Sequence, residues 1–144
     1  MERHSLPPRR SAIALTLYEL FNPLPLGFFA AAWLFDIIYI RSTQVFWNQS
    51  ASWLIVFGLF IAIIPRVINL VQTWWGHHGA YVSAYRLDFW LNLLAIIVAI
   101  LNAFIHSRDA WAVVPLGAIL STVVVVLISI ANIQLALRTR SLRA

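Results

Sequence analysis

Four apolar stretches, separated by short polar or turn-prone segments, limit what this chain can become: residues 24–40, 53–74, 86–105 and 111–137. A bilayer core about 30 Å thick is crossed by a helix of about 17 to 25 residues, and each stretch meets that length or comes close to it. Together they use up most of the 144 residues. Composition points the same way, because 62% of residues are hydrophobic and 10% charged, whereas a soluble domain has roughly a quarter of its residues charged. In hydrocarbon the backbone must satisfy itself within each span, so even the valine run at 123–126 reads as helix and not strand. The expected fold is an all-α membrane protein, a four-transmembrane-helix bundle occupying residues 24–137.

The segments around the spans refine this picture. Residues 11–21 are apolar but too short to cross, carry Tyr18 and Glu19, and end at the break Asn22-Pro23-Leu24-Pro25. They read as a short interfacial helix, which with the polar start makes residues 1–23 an N-terminal unit on the membrane surface. The start lacks a small-residue cleavage site, so an uncleaved anchor is expected and not a signal peptide. Residues 41–52 read as a polar connector, 75–85 as a loop with two glycines and the pair His77-His78, 106–110 as a tight turn, and 138–144 as a basic tail. Pro65 lies inside the second span and predicts a kink near Arg66.

Orientation follows from the arginines outside the hydrocarbon. Arg3, Arg9, Arg10, Arg86, Arg138, Arg140 and Arg143 fall on one side, against Arg41 and Arg108 on the other. The arginine-rich side is expected to be cytoplasmic, with both termini there, in a multi-pass protein of a bacterial inner membrane. Interfacial aromatics agree. Tyr18, Trp74, Trp75, Tyr81, Tyr85 and Trp90 mark the cytoplasmic face, and Tyr39, Trp47, Trp53 and Trp111 the opposite one.

The formal charge of +5 comes from arginine alone, as the chain has no lysine. Basic tails at helix ends suit anionic lipids and topology, so the bilayer is the expected partner and nucleic acid is not. The absence of cysteine removes disulfides, thiolate catalysis and cysteine metal sites. No Gly-rich phosphate loop, nucleophile elbow or pair of carboxylates at one depth is present, so no enzyme and no catalytic residue is expected.

Polar residues inside the spans are the candidate site. A charge near the bilayer centre costs about 2.5 to 3.5 kcal/mol on insertion scales and therefore needs a partner. At about 1.5 Å per residue, Arg66 lies roughly 12 Å inside the second span and should face the bundle. Asp88, near the start of the third span, is its expected partner. Helical spacing puts Arg66, Asn69 and Thr73 on one face of the second span, and Asp88, Asn92, Ala95, Ala99 and Asn102 on one face of the third. Thr122, Val125, Ser129 and Asn132 form a similar stripe on the fourth. Arg66, Asn69, Asp88, Asn92, Ser129 and Asn132 are thus expected to converge in one cluster, with Asp36 and Asn102 as a secondary pair near the other end. Such groups, with small residues such as Gly117 and Ser121, serve as packing glue in many bundles. The alternative is a polar pocket for a head group, quinone, ion or proton.

Haem or metal would call on His4, His77, His78 or His106, which all fall in tails, loops or a helix end. A dihaem bundle needs histidines projecting inward from facing helices. No metal site and no cofactor is therefore expected, and haem or quinone remains an alternative.

The stretch NPLPLGFFAAAWLFD, followed by IPRVINLVQTWW and YRLDFWLNLLA, resembles the bacterial four-helix membrane family catalogued as domain of unknown function 2231. Pro23, Asp36, Pro65, Arg86 and Asn92 match its pattern, and the similarity runs from Asn22 through most of the chain. Asn22 stands where that family has histidine, a second N-terminal histidine is replaced around Gly27, and Asp88 takes the third-span position. The resemblance implies the four-helix fold and no established activity. If those histidines carry a cofactor in relatives, it also implies that this chain has lost it.

The leading expectation is a small non-enzymatic membrane protein, structural or partner-binding, with a second copy or another membrane protein as partner. A redox or quinone-associated component, and a small transporter or proton pathway built on Arg66 and Asp88, are the competing readings.

Overall fold

Proline and asparagine punctuate the start of the chain. Helix α1 (Ala12–Phe21) stops at Asn22, whose N–H still bonds back to Tyr18 O at 2.8 Å. Pro23 then caps α2 (Leu24–Ser42), with Pro25 in its first turn, where a missing N–H costs nothing. This computed structural model describes residues 12–75 and 82–141. Arg3, Arg9, Arg10, Arg143, Tyr81 and the histidines His4, His77 and His78 lie outside the described residues.

Three further helices follow: α3 (Val45–Trp75), α4 (Val82–His106) and α5 (Leu116–Ser141), with a short 3₁₀ turn at Ala110–Val113 before the last. Four segments, Thr16–Ser42, Val45–Val71, Ser83–His106 and Leu116–Arg138, are long and apolar enough to cross a membrane. The shortest has 23 residues and spans about 34 Å, more than the hydrocarbon needs. Among the described residues there is no strand. In each span only 28% of the most apolar window is buried inside the protein, so the apolar surplus faces outward, as Phe60, Trp53, Phe104 and Ile119 do. That arrangement suits lipid and is untenable in water.

The helices form a ring. α2 packs on α3, α3 on α4, α4 on α5, and α5 closes on α2, while α1 lies against α3 and the start of α2. Sequential neighbours are antiparallel, and α2 and α4 face each other across the diagonal. The axis is filled by Phe29, Ala32, Ala51, Ile55, Ala95, Ala99, Val124 and Ile128. The four alanines among them let backbones approach, which is how membrane helices gain packing energy. Gly58 shows the tolerance: a Cβ there would sit 3.0 Å from a Phe29 ring carbon.

The helix ends differ from the sequence expectation in four places. The polar connector expected at 41–52 is almost all helix, and the α2–α3 turn is only Thr43 and Gln44. Thr43 ends α2 in the left-handed conformation, with φ of 57° and its N–H on Tyr39 O, the usual geometry after a helix C-terminus. Asn48 and Ala51 then turn inward at helical spacing ahead of Ile55, and Trp47 packs edge-on against Phe35 at 5.0 Å. Polar letters there belong to a helix's first turns, of which Asn48 and Ala51 face inward, and not to a loop. α4 begins at Val82, before residue 86. α5 begins at Leu116, after Pro115, instead of at Trp111. It also runs on to Ser141, so Arg138 and Arg140 sit in its last turn, where cations favour the helix dipole. α3 continues as helix through Pro65, which is fully buried.

Candidate functional site: two buried polar clusters

The first cluster is built where the α1–α2 break meets α3 and α4. Asp88, 1% exposed, is its anchor. Asn69 of α3 donates from Nδ2 to Asp88 Oδ2 at 2.8 Å, and Asn92, one turn along α4, donates to Asp88 Oδ1 at 3.0 Å and to its backbone carbonyl at 2.9 Å. Arg66 Nη1 stands 3.6 Å from Asp88 Oδ2, close enough for charge attraction and too far for a good hydrogen bond. The guanidinium spends its hydrogen bond elsewhere, donating from Nη2 to Asn22 Oδ1 at 2.5 Å. Arg66 thus ties the α1–α2 break to α4 through α3.

Ser129 and Asn132, expected in this cluster, do not join it. Both are half-buried, and the inward line of α5 is Ser121, Val124, Ile128 and Ala131. The expected stripe lay one residue off, and one residue turns a side chain by about 100° around a helix. Instead α5 reaches this end through Gln134, whose Nε2 lies 3.5 Å from Ala84 O. The side chain of Thr73 lies outside the described residues.

The second cluster lies at the opposite end, and its centre is Asp36, 2% exposed. The expected pair of Asp36 and Asn102 is not a direct contact. Ser121 stands between them, accepting from Asn102 Nδ2 at 2.7 Å and making a short hydrogen bond to Asp36 Oδ2. The other carboxylate oxygen meets His106 Nε2 at 2.7 Å, and His106 Nδ1 faces the Asn102 carbonyl oxygen at 3.0 Å. Three helices close one ring of hydrogen bonds across the bundle diagonal.

His106, expected as a turn residue, is the last residue of α4 and is buried. The signal that could have found it was present: Asp88, Asn92, Ala95, Ala99 and Asn102 step by four and three, and the next step of four lands on 106. Gly117 makes room for the ring, since a Cβ there would lie 3.0 Å from His106 Cε1 and 2.5 Å from Val113. Beside Asp36 a crevice lined by Tyr39, Ile40, Val113, Val114 and Ala118 has no room for a water molecule.

One turn along α2 from Asp36, Trp33 donates its indole N–H to Thr122 at 2.9 Å, joining α2 to α5. An open apolar groove of about 330 Å³ runs along α2, lined by Pro23, Leu24, Gly27, Phe28, Ala31 and Leu54. Among the described residues no three His, Asp or Glu side chains come together as a metal cage.

Four long apolar helices closed around buried polar clasps define a multi-pass membrane protein. The family described as Predicted membrane protein (DUF2231) matches residues 16–134, most of the chain, and the protein belongs to that family. No curated protein and no solved structure matches the chain.

Proposed function

We propose that this protein is a non-enzymatic subunit of a bacterial inner membrane, structural or partner-binding, with both termini in the cytoplasm. The observation that carries this reading is the use made of the buried charges. Arg66 is held by Asn22 and Asp88, and Asp36 by His106 and Ser121, so the polar groups that could have formed a reaction centre bind helix to helix. The broad apolar exterior is then the surface on which lipid, a second copy or another membrane protein is met. The exposed Arg138 and Arg140 suit anionic head groups, and the arginine distribution supports the orientation.

A test uses the purified protein in liposomes with pH-sensitive and ion-sensitive dyes, alongside cross-linking in native membranes. The expected result is no flux above empty vesicles and a discrete cross-linked assembly. Flux that Arg66→Leu abolishes would overturn the proposal in favour of a transport pathway. Because the chain lacks cysteine, single cysteines near each terminus report orientation through labelling by an impermeant reagent.

The apolar groove along α2 favours one second reading, a quinone-associated component whose prenyl tail lies between Phe28 and Leu54. Quinone recovered in stoichiometric amount from the purified protein supports it, and its absence after gentle extraction removes it. A haem reading has less behind it, since both ring nitrogens of His106 already face partners.

A further inference from the structure

The Asp36 cluster carries more information than a clasp requires, because its hydrogen bonds determine how many protons it holds. The Asn102 carbonyl oxygen can only accept, so the His106 Nδ1 lying 3.0 Å from it carries a hydrogen. On the other side of the ring, Nε2 and Asp36 Oδ1 are 2.7 Å apart. Two bare lone pairs do not approach so closely, so a proton lies between them as well. The ring and carboxylate together therefore hold one proton more than a neutral histidine beside an ionised aspartate.

We propose that the Asp36–His106 pair is a buried proton-binding site, occupied at neutral pH, whose ligand is the single proton shared between Nε2 and Oδ1. Loaded, the pair is neutral overall, whether written as imidazolium with carboxylate or as imidazole with carboxylic acid. Unloaded, it has a net negative charge and one unsatisfied contact. Either Nε2 turns a lone pair on the carboxylate, or Nδ1 turns one on the Asn102 carbonyl.

Nothing nearby offsets that charge. On α2 the titratable groups facing the site are Asp36 itself and Tyr39, which lines the adjoining crevice. On α4 there is only His106. α5 brings Ser121, Gly117 and Ala118, and the 3₁₀ turn brings Val113. Arg41, Arg108 and Asp109 are exposed, and among the described residues no guanidinium pairs with Asp36. The crevice has no room for water and Gly117 packs on the ring, so the unloaded pair cannot be hydrated in place.

The test is the protonation state of His106 in the full chain, labelled with ¹⁵N-histidine in lipid bilayers at pH 7.5. His106→Gln assigns the signal by subtraction. If that variant does not fold, the triple variant His4→Gln, His77→Gln, His78→Gln leaves His106 as the single histidine. The expected spectrum has Nδ1 protonated, with Nε2 either protonated or strongly hydrogen-bonded. In the latter case a carboxylic acid infrared band disappears in Asp36→Asn. A bare Nδ1, or a bare Nε2 with no such band, would overturn the proposal.

Discussion

At one end of the bundle Asp88 meets an arginine, which keeps its charge in any protein setting; at the other Asp36 meets a histidine, which can give its charge up. Both carboxylates are almost fully buried, and both must be neutralised to stay there. The Arg66 cluster does so with a permanent charge, two asparagine amides and a loose 3.6 Å ion pair. The Asp36 cluster uses a tight ring of hydrogen bonds and one proton. The contrast teaches that a buried carboxylate can be held by charge or by proton count, and that the two differ in what their loss leaves behind.

The largest expected effect comes from removing a partner of the permanent charge. Asp88→Leu strands Arg66 and should cost about 3 to 5 kcal/mol, read as loss of folded protein in a detergent denaturation series. Asp36→Leu should cost less, about 1 to 3 kcal/mol, because His106 can become neutral and only polar groups are left unpaired. Equal losses in the two variants would break the comparison. Combining Arg66→Leu with Asp88→Leu should recover part of the single-variant loss, with a coupling of about 0.5 to 3 kcal/mol in a double-mutant cycle. Additive losses would show that the 3.6 Å pair contributes nothing. Gly117→Ala, which presses on Val113 and the His106 ring, should cost about 1 to 3 kcal/mol and disturb the Asp36 end alone. The smallest effect belongs to Ser129→Ala, expected within about 0.5 kcal/mol of wild type in the same assay, since Ser129 lies outside both clusters.

How much of this could be read from residues alone varies by helix. The four spans were plain from length and apolarity, and the α4 stripe from Asp88 to Asn102 was plain because polar letters recur there at helical spacing against an apolar background. α5 offered no such contrast. Ser121 and Thr122 are adjacent and similar, so nothing local told which one turns inward, and the choice of Thr122 carried Ser129 and Asn132 with it. His106 was hidden for another reason. A polar residue next to Ser107 and Arg108 looks like a turn, and only the diagonal contact with Asp36, 70 positions earlier, makes it interior. Asn48 was obscured in the same way, by neighbours whose composition resembles a loop although it is itself buried.

The two-residue turn at Thr43 and Gln44 has a consequence for how the bundle comes together. It leaves α2 and α3 no freedom to slide apart, so they move as one hairpin, and α4 with α5 make the other. Asp36 to His106 and Ser121, Asn69 to Asp88, Arg66 to Asp88 and Trp33 to Thr122 all run from the first hairpin to the second. The chain is in this sense two complementary halves, each carrying a carboxylate whose charged or ring partner, Arg66 or His106, lies on the other. A half that inserts without its mate displays a buried carboxylate that lacks its charged or ring partner, a mark by which an incomplete product differs from a finished one.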